Sequence, residues 1–138
     1  MKLKILLLVC MATLGLASCK KDTIVQETQN RTIILTVQPD QWIAYANGKG
    51  YSADLDIPEV DQINVDIEGI LVYVDHPENV DSYIQLPYVY AGDSYSYQQV
   101  NGGITLDIQA SEYSTVPAVK PTQPIRVKVV LIPSQDVS

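Results

Sequence analysis

The side chains that could do chemistry are few. The 138-residue chain has one histidine, two cysteines and sixteen acidic residues. His76 lies in the polar, turn-like segment Asp75-His76-Pro77-Glu78-Asn79, and no Gly-x-Ser-x-Gly motif accompanies it to supply the nucleophile of a serine triad. No glycine-rich loop leads into a helix to hold phosphate. We therefore expect no catalytic residue, no cofactor and no His-rich metal site.

Carboxylates are the one abundant reactive group. Asp54 and Asp56 project from the same face of a strand, whereas the two carboxylates of a glycosidase face each other across a cleft. We interpret the pair as a solvated strand face that deters edge pairing. Asp75, Glu78 and Asp81 offer the oxygen ligands that Ca²⁺ prefers, but without the spacing of a calcium loop. A solvated loop is the interpretation there, and a calcium site is the alternative.

Cys19 has the clearest chemical assignment. The chain begins with Lys2 and Lys4, continues with an apolar run over 5–16, and reaches the small pair Ala17-Ser18 directly before Cys19. These are the parts of a secretory signal, and the run is shorter than the roughly 20 residues of a membrane span. Small residues before a cysteine are typical of a bacterial lipobox. We predict cleavage before Cys19 and acylation of this residue; an ordinary secretory peptide with a coincidental cysteine is the alternative.

Cleavage at this point defines the domain organisation. We predict a signal peptide over 1–18, the lipidated cysteine with a flexible tether over 19–30, and a single domain over 31–138. Cys10 leaves with the signal, so no disulfide is expected. Seven basic and sixteen acidic residues then remain, a formal charge of −9. Such a surface repels nucleic acid and anionic lipid headgroups, so neither is an expected partner. Contact with the membrane is expected through the N-terminal lipid.

Alternation of apolar and polar residues predicts strands through most of the domain. Gly, Pro and Asn turns separate these short segments, and the segment with Pro117, Pro121 and Pro124 is predicted to be a loop. We predict an all-β fold, an antiparallel β-sandwich of immunoglobulin-like type with seven to eight short strands. Residues 84–90 are predicted to form one strand. Residues 63–67 also alternate and predict a strand, with a single helical turn as the alternative.

Tyrosines form the most suggestive cluster, since five of them fall between residues 83 and 97. If the turn over 91–94 closes symmetrically, Tyr90 lies opposite Tyr95 and Tyr88 lies opposite Tyr97. All four rings then share one face of a hairpin. Such a face is a candidate binding surface for sugar rings or a partner protein. Core packing is the main interpretation, because residues 84 and 86 have the same parity, and the binding surface is the alternative.

A family resemblance rests on the strand patterns. These are Trp42, Tyr51 to Leu55, Gly69 to Val74, Leu86-Pro87-Tyr88 and the ending Arg126 to Pro133. The order resembles a group of small uncharacterised lipoproteins and secreted proteins from Bacteroidota, over nearly the whole domain. The resemblance implies a β-sandwich in the cell envelope and implies no activity. Asp22-Thr23-Ile24 also matches the O-glycosylation pattern of those bacteria, so Thr23 is a candidate glycosylation site.

The expected function follows from location more than from chemistry. We expect a non-catalytic binding or accessory module, anchored to the outer membrane at either its periplasmic or its surface face, that contacts a glycan or an envelope protein. The alternative is a structural envelope lipoprotein that docks on a larger assembly.

Overall fold

The computed structural model describes residues 29–111 and 116–138, and within these ranges the chain forms nine strands in two antiparallel sheets. This confirms the predicted antiparallel β-sandwich, with nine strands where seven or eight were predicted. The predicted signal peptide, Cys19 and Thr23 lie outside the described residues.

Each sheet has its own set of strands, and all neighbouring strands are antiparallel. The four-stranded sheet has the order β1 (Arg31–Val37), β9 (Ile125–Ile132), β4 (Gly69–His76) and β5 (Asn79–Gln85). The five-stranded sheet has the order β2 (Ile43–Tyr45), β3 (Gly50–Asp56), β8 (Gly103–Ala110), β7 (Asp93–Val100) and β6 (Tyr88–Tyr90).

Alternate residues of the central strands fill the space between the sheets. In β9 the buried residues are Val127, Val129 and Leu131, while Arg126 and Lys128 lie on the outer face, as their period of two requires. In β8 the residues at 104, 106 and 108 are buried in the same way. Stability therefore comes from packing of aliphatic side chains across the two sheets.

A short helix replaces the strand predicted over 63–67. Helix α1 (Gln62–Asp66) begins after Asp61, whose carboxylate accepts a hydrogen bond from the backbone N–H of Asn64 at 3.0 Å. The Asn64 side chain accepts in return from the N–H of Asp61 at 2.7 Å. This reciprocal capping box satisfies the first free N–H groups of a helix, and Ile63 is left 60% exposed. The strand prediction was wrong, and the helical alternative is correct.

Residues 84–90 form two strands where one was predicted. β5 ends at Gln85 and β6 begins at Tyr88, and the two belong to different sheets. Between them Leu86 is buried, and its N–H donates to the carbonyl of Val72 at 2.9 Å. Pro87 follows with no N–H to continue the ladder. The chain therefore crosses from one sheet to the other at this point.

The β6–β7 hairpin has a different register from the predicted one. Its turn is Ala91-Gly92, both with positive φ, 52° and 88°. Tyr90 consequently pairs with Asp93, and Tyr88 pairs with Tyr95. Two-residue turns of this backbone type match the twist of a hairpin, whereas a four-residue turn was predicted. The predicted pairs were wrong by two residues, which leaves the parity of the tyrosines unchanged.

Candidate functional site

A cavity of about 370 Å³ opens between the two sheets at one end of the sandwich. Its walls come from the end of β4 and the following turn (Val74–Pro77), from the β6–β7 hairpin, and from the loop Val119–Pro124 with Ile125. The volume lies within the roughly 300–1,000 Å³ that small-molecule sites occupy. The segment predicted as a proline-rich loop thus forms one side of a cavity.

Two stacked tyrosines line the cavity. The rings of Tyr88 and Tyr95 lie with centroids 4.8 Å apart and planes 25° from parallel. Both rings are half-buried and pack against the core. Burial raises the pKa of both hydroxyls, and the neighbouring Tyr95 and Tyr90 add to the effect at Tyr88, as Asp93 does at Tyr95. Both hydroxyls therefore stay protonated at neutral pH and remain hydrogen-bond donors.

Tyr90 and His76 form a second aromatic wall. Their ring centroids are 5.4 Å apart in an edge-to-face arrangement, with an angle of 75° between the planes. The Tyr90 hydroxyl donates to Glu78 at 2.8 Å, and this bond raises the Tyr90 pKa. The Nδ1 of His76 accepts from the N–H of Glu78 at 3.1 Å. The turn after β4 thereby fixes a ring that belongs to the opposite sheet.

Two carboxylates belong to the polar part of the lining. Asp93 is 6% exposed, and its Oδ2 accepts from the N–H of Val119 at 2.9 Å. The Oδ1 of Asp75 accepts from the N–H of Arg126 at 3.1 Å. Among the described residues, no donor reaches the second oxygen of either carboxylate. A carboxylate has about four acceptor positions, so one backbone N–H does not exhaust the acceptor capacity of either group.

The four tyrosines singled out from the sequence divide between two roles. Tyr88, Tyr90 and Tyr95 line the cavity. Tyr97 lies on the same face of the hairpin but deeper in the sandwich, and its hydroxyl donates to the carbonyl of Ile70 in the other sheet at 2.6 Å. Core packing therefore describes Tyr97. Tyr88 and Tyr95 combine core packing with exposure to the cavity, and Tyr90 lines the cavity without packing on the core.

The acidic residues considered as chemical candidates form no metal-binding group among the described residues. Asp54 and Asp56 are exposed on the outer face of the five-stranded sheet, where Asp54 accepts from the hydroxyl of Thr105 at 2.7 Å. This is the solvated strand face that the sequence indicates. Across 29–111 and 116–138, no three His, Cys, Asp or Glu side chains are placed to hold a metal, and these ranges include Asp75, Glu78 and Asp81.

Sequence reasoning missed the carboxylates and the loop that complete the cavity. Asp93 was interpreted as a turn residue, yet its side chain holds Val119, which is 26 positions away in the chain. Asp75 was considered for calcium alone. No local pattern links these residues, because their proximity depends on how the two sheets pack.

The outer face of the four-stranded sheet carries a second group of rings, but the protein's own cations cover it. The Nζ of Lys128 lies 4.3 Å from the Tyr73 ring centroid and 4.6 Å from that of Tyr83. The guanidinium of Arg126 lies 5.0 Å from the Tyr83 centroid. These cation–π contacts occupy the ring faces that a ligand would use. The rings of the cavity carry no such contact among the described residues.

Within the described part of the chain, no helix is both long and apolar enough to span a membrane. No family model, no curated protein and no solved structure matches the chain.

Proposed function

We propose that this protein is a non-catalytic binding module of the cell envelope, lipid-anchored through Cys19, that holds a sugar unit of a glycan in the cavity. The observation that carries the proposal is the stacked Tyr88–Tyr95 pair in the wall of the 370 Å³ cavity. A sugar ring presents apolar C–H groups that pack on an aromatic ring and hydroxyls that need fixed acceptors. Asp75 and Asp93 supply such acceptors.

The position of the cavity supports an anchored binding protein. Arg31, the first residue of β1, pairs with Leu131, and Val37, the last, pairs with Ile125. Ile125 lines the cavity. Seven residues of strand span about 20 Å, so the cavity lies at the end of the sheet away from Arg31. A tether that enters at Arg31 therefore joins the domain at the end opposite the cavity and does not obstruct it.

The lining favours binding over catalysis. Among the described residues the lining includes no serine and no cysteine, so neither of these two nucleophiles lies beside His76. The Nδ1 of His76 already accepts a hydrogen bond from the backbone. Both carboxylates hold backbone N–H groups, which is how a binding site fixes its acceptors in place.

A glycan array tests this proposal when the intact protein is compared with two variants. Tyr90→Ala removes a ring that lines the cavity but does not pack on the core, so the variant should fold. Val89→Ala is the matched control, because Val89 is 69% exposed on the opposite face of the same strand. We expect the intact protein and Val89→Ala to bind with the same affinity. The affinity of Tyr90→Ala should be about tenfold lower. Equal binding by all three would contradict the proposal.

One observation favours the structural alternative. β1 is an edge strand, Thr32 to Val37 contains no charged residue, and Ile34 is 59% exposed. Long uncharged edges pair readily with other strands. If this edge docks the protein on an assembly, Ile34→Lys should abolish its cross-linking to envelope proteins while Ile43→Lys, at a comparably exposed position in β2, should not.

A further inference from the structure

The cavity carries an excess of negative charge at its polar groups. Its lining contains two carboxylates, Asp75 and Asp93, and one cation, Lys120. With His76 counted as neutral, the formal charge of the lining is −1. Glu78 adds a further carboxylate just behind the lining, where it accepts from the Tyr90 hydroxyl.

The buried carboxylate of Asp93 and the exposed ammonium of Lys120 do not contribute equally to the electrostatic potential of the cavity. Asp93 is 6% exposed and is fixed by the N–H of Val119, so little water screens its charge. Asp75 is close enough to Tyr88 to contribute to the raised pKa of that hydroxyl. Lys120 is exposed, and a mobile ammonium in water contributes little to a fixed electrostatic preference. The electrostatic potential inside the cavity is therefore more negative than the formal charge of −1 suggests.

We propose that the cavity selects sugars by charge: it prefers an amino sugar to the neutral sugar, it rejects the corresponding uronic acid, and Asp93 sets this order. The inference rests on the proposed function. A carboxylate accepts hydrogen bonds and cannot donate them, so hydroxyl and ammonium groups suit it. An ammonium gains attraction as well, whereas a ligand carboxylate would bring a second negative charge to a partly dehydrated acceptor.

The test is an array that carries glucose, galactose and mannose each in three forms: the 2-amino sugar, the neutral sugar and the uronic acid. The intact full-length protein is applied at about 20 mM and about 150 mM salt. We expect the amino forms to bind most tightly and the uronic acids to bind at least about tenfold more weakly than the neutral forms. The differences should be larger at low salt.

Two variants assign the preference to the cavity. Asp93→Asn keeps an oxygen that accepts from the N–H of Val119 and removes the charge, so the difference between neutral sugar and uronic acid should fall to about threefold or less. Asp54→Asn makes the same charge change on the exposed outer face and should leave the difference intact. If Asp93→Asn fails to fold, Asp75→Asn serves instead: it keeps an oxygen that accepts from the N–H of Arg126 and removes the other carboxylate of the lining, so the rejection of uronic acids should weaken.

The outcomes separate this inference from the proposed function. Uronic acids that bind as tightly as neutral sugars would overturn the charge preference and leave the sugar-binding function standing. No binding to any form would overturn both. An equal effect of Asp93→Asn and Asp54→Asn would show that net charge, and not the cavity, sets the order, and would overturn the role of Asp93. Where Asp75→Asn stands in for Asp93→Asn, unchanged selectivity of that variant would contradict the charge preference as well.

Discussion

Tyr88 and Tyr95 lie directly opposite each other in the β6–β7 hairpin, and their stacked rings belong both to the margin of the core and to the wall of the cavity. The two-residue turn Ala91-Gly92 produces this pairing. Under the proposed function, stability and binding are therefore coupled at one pair of residues.

Tyr88→Ala should lower stability and binding together. Loss of a stacked, half-buried ring should reduce the free energy of unfolding by about 2 kcal/mol, and the affinity for a sugar ligand should fall by at least about tenfold. Val89→Ala, on the exposed face of the same strand, should change the unfolding free energy by less than about 0.5 kcal/mol. Urea denaturation followed by circular dichroism measures the stability of both. Equal stability of the two variants would show that the ring is not packed.

Tyr97→Phe should affect stability alone. It removes the hydroxyl that donates to the Ile70 carbonyl across the sandwich and leaves a half-buried acceptor unpaired, at a cost of about 1 kcal/mol. Tyr51→Phe is the control, because Tyr51 also packs on the core and no hydrogen bond of its hydroxyl is present among the described residues. Sugar affinity should be unchanged in both variants. A clear loss of affinity in Tyr97→Phe would place this residue in the binding site.

Stability should fall at alkaline pH because burial raises the pKa of Tyr88 and Tyr95 in the folded state. Below the unfolded tyrosine pKa of about 10, both states keep the proton and this contribution is fully present. Above it, the unfolded state loses protons that the folded state retains, so the unfolding free energy decreases as pH rises towards the folded pKa.

Urea denaturation between pH 8 and pH 11 measures this decrease. Tyr88→Phe removes one of the two groups and should make the decline shallower, while Tyr73→Phe, which changes a ring on the outer face of the four-stranded sheet, should not. A decline of the same steepness in wild type and Tyr88→Phe would rule out Tyr88 as its source.

Gly103→Ala should be strongly destabilising. A Cβ at this position would lie 1.9 Å from the carbonyl oxygen of Leu55 in the neighbouring strand, so the β3 and β8 backbones would have to separate. We expect a loss of about 3 kcal/mol. Gly69→Ala is the matched control in a strand, because its Cβ would meet Ile132 at an ordinary 3.5 Å. Thermal unfolding compares the two, and equal midpoints would contradict the close approach of β3 and β8.

The sandwich could be predicted from the sequence because alternation reports directly which side of a strand is buried. This succeeds for β8 and β9, whose inward residues are all aliphatic. It fails for 63–67, where the reciprocal bonds of Asp61 and Asn64 favour a helix over a strand of the same pattern. Local side-chain bonds to the backbone are not visible in a hydropathy pattern.

The cavity could be predicted only in part. The tyrosine face follows from parity, which does not depend on the register, so Tyr88, Tyr90 and Tyr95 were identified as candidates. Their pairing depended on the backbone of the turn, and a two-residue turn could not be distinguished from a four-residue one by composition. The contact between Asp93 and Val119 joins distant segments, so only the packed structure shows it.

Nuclear magnetic resonance of the protein with ¹³C-labelled tyrosine rings tests most directly whether a ligand occupies the cavity. The ligand is the sugar that binds most tightly on the array, and single Tyr→Phe variants assign the signals. We expect the signals of Tyr88, Tyr90 and Tyr95 to shift on titration while those of Tyr73 and Tyr83, on the outer face, stay in place. Shifts confined to Tyr73 and Tyr83, or no shift at all, would contradict binding in the cavity.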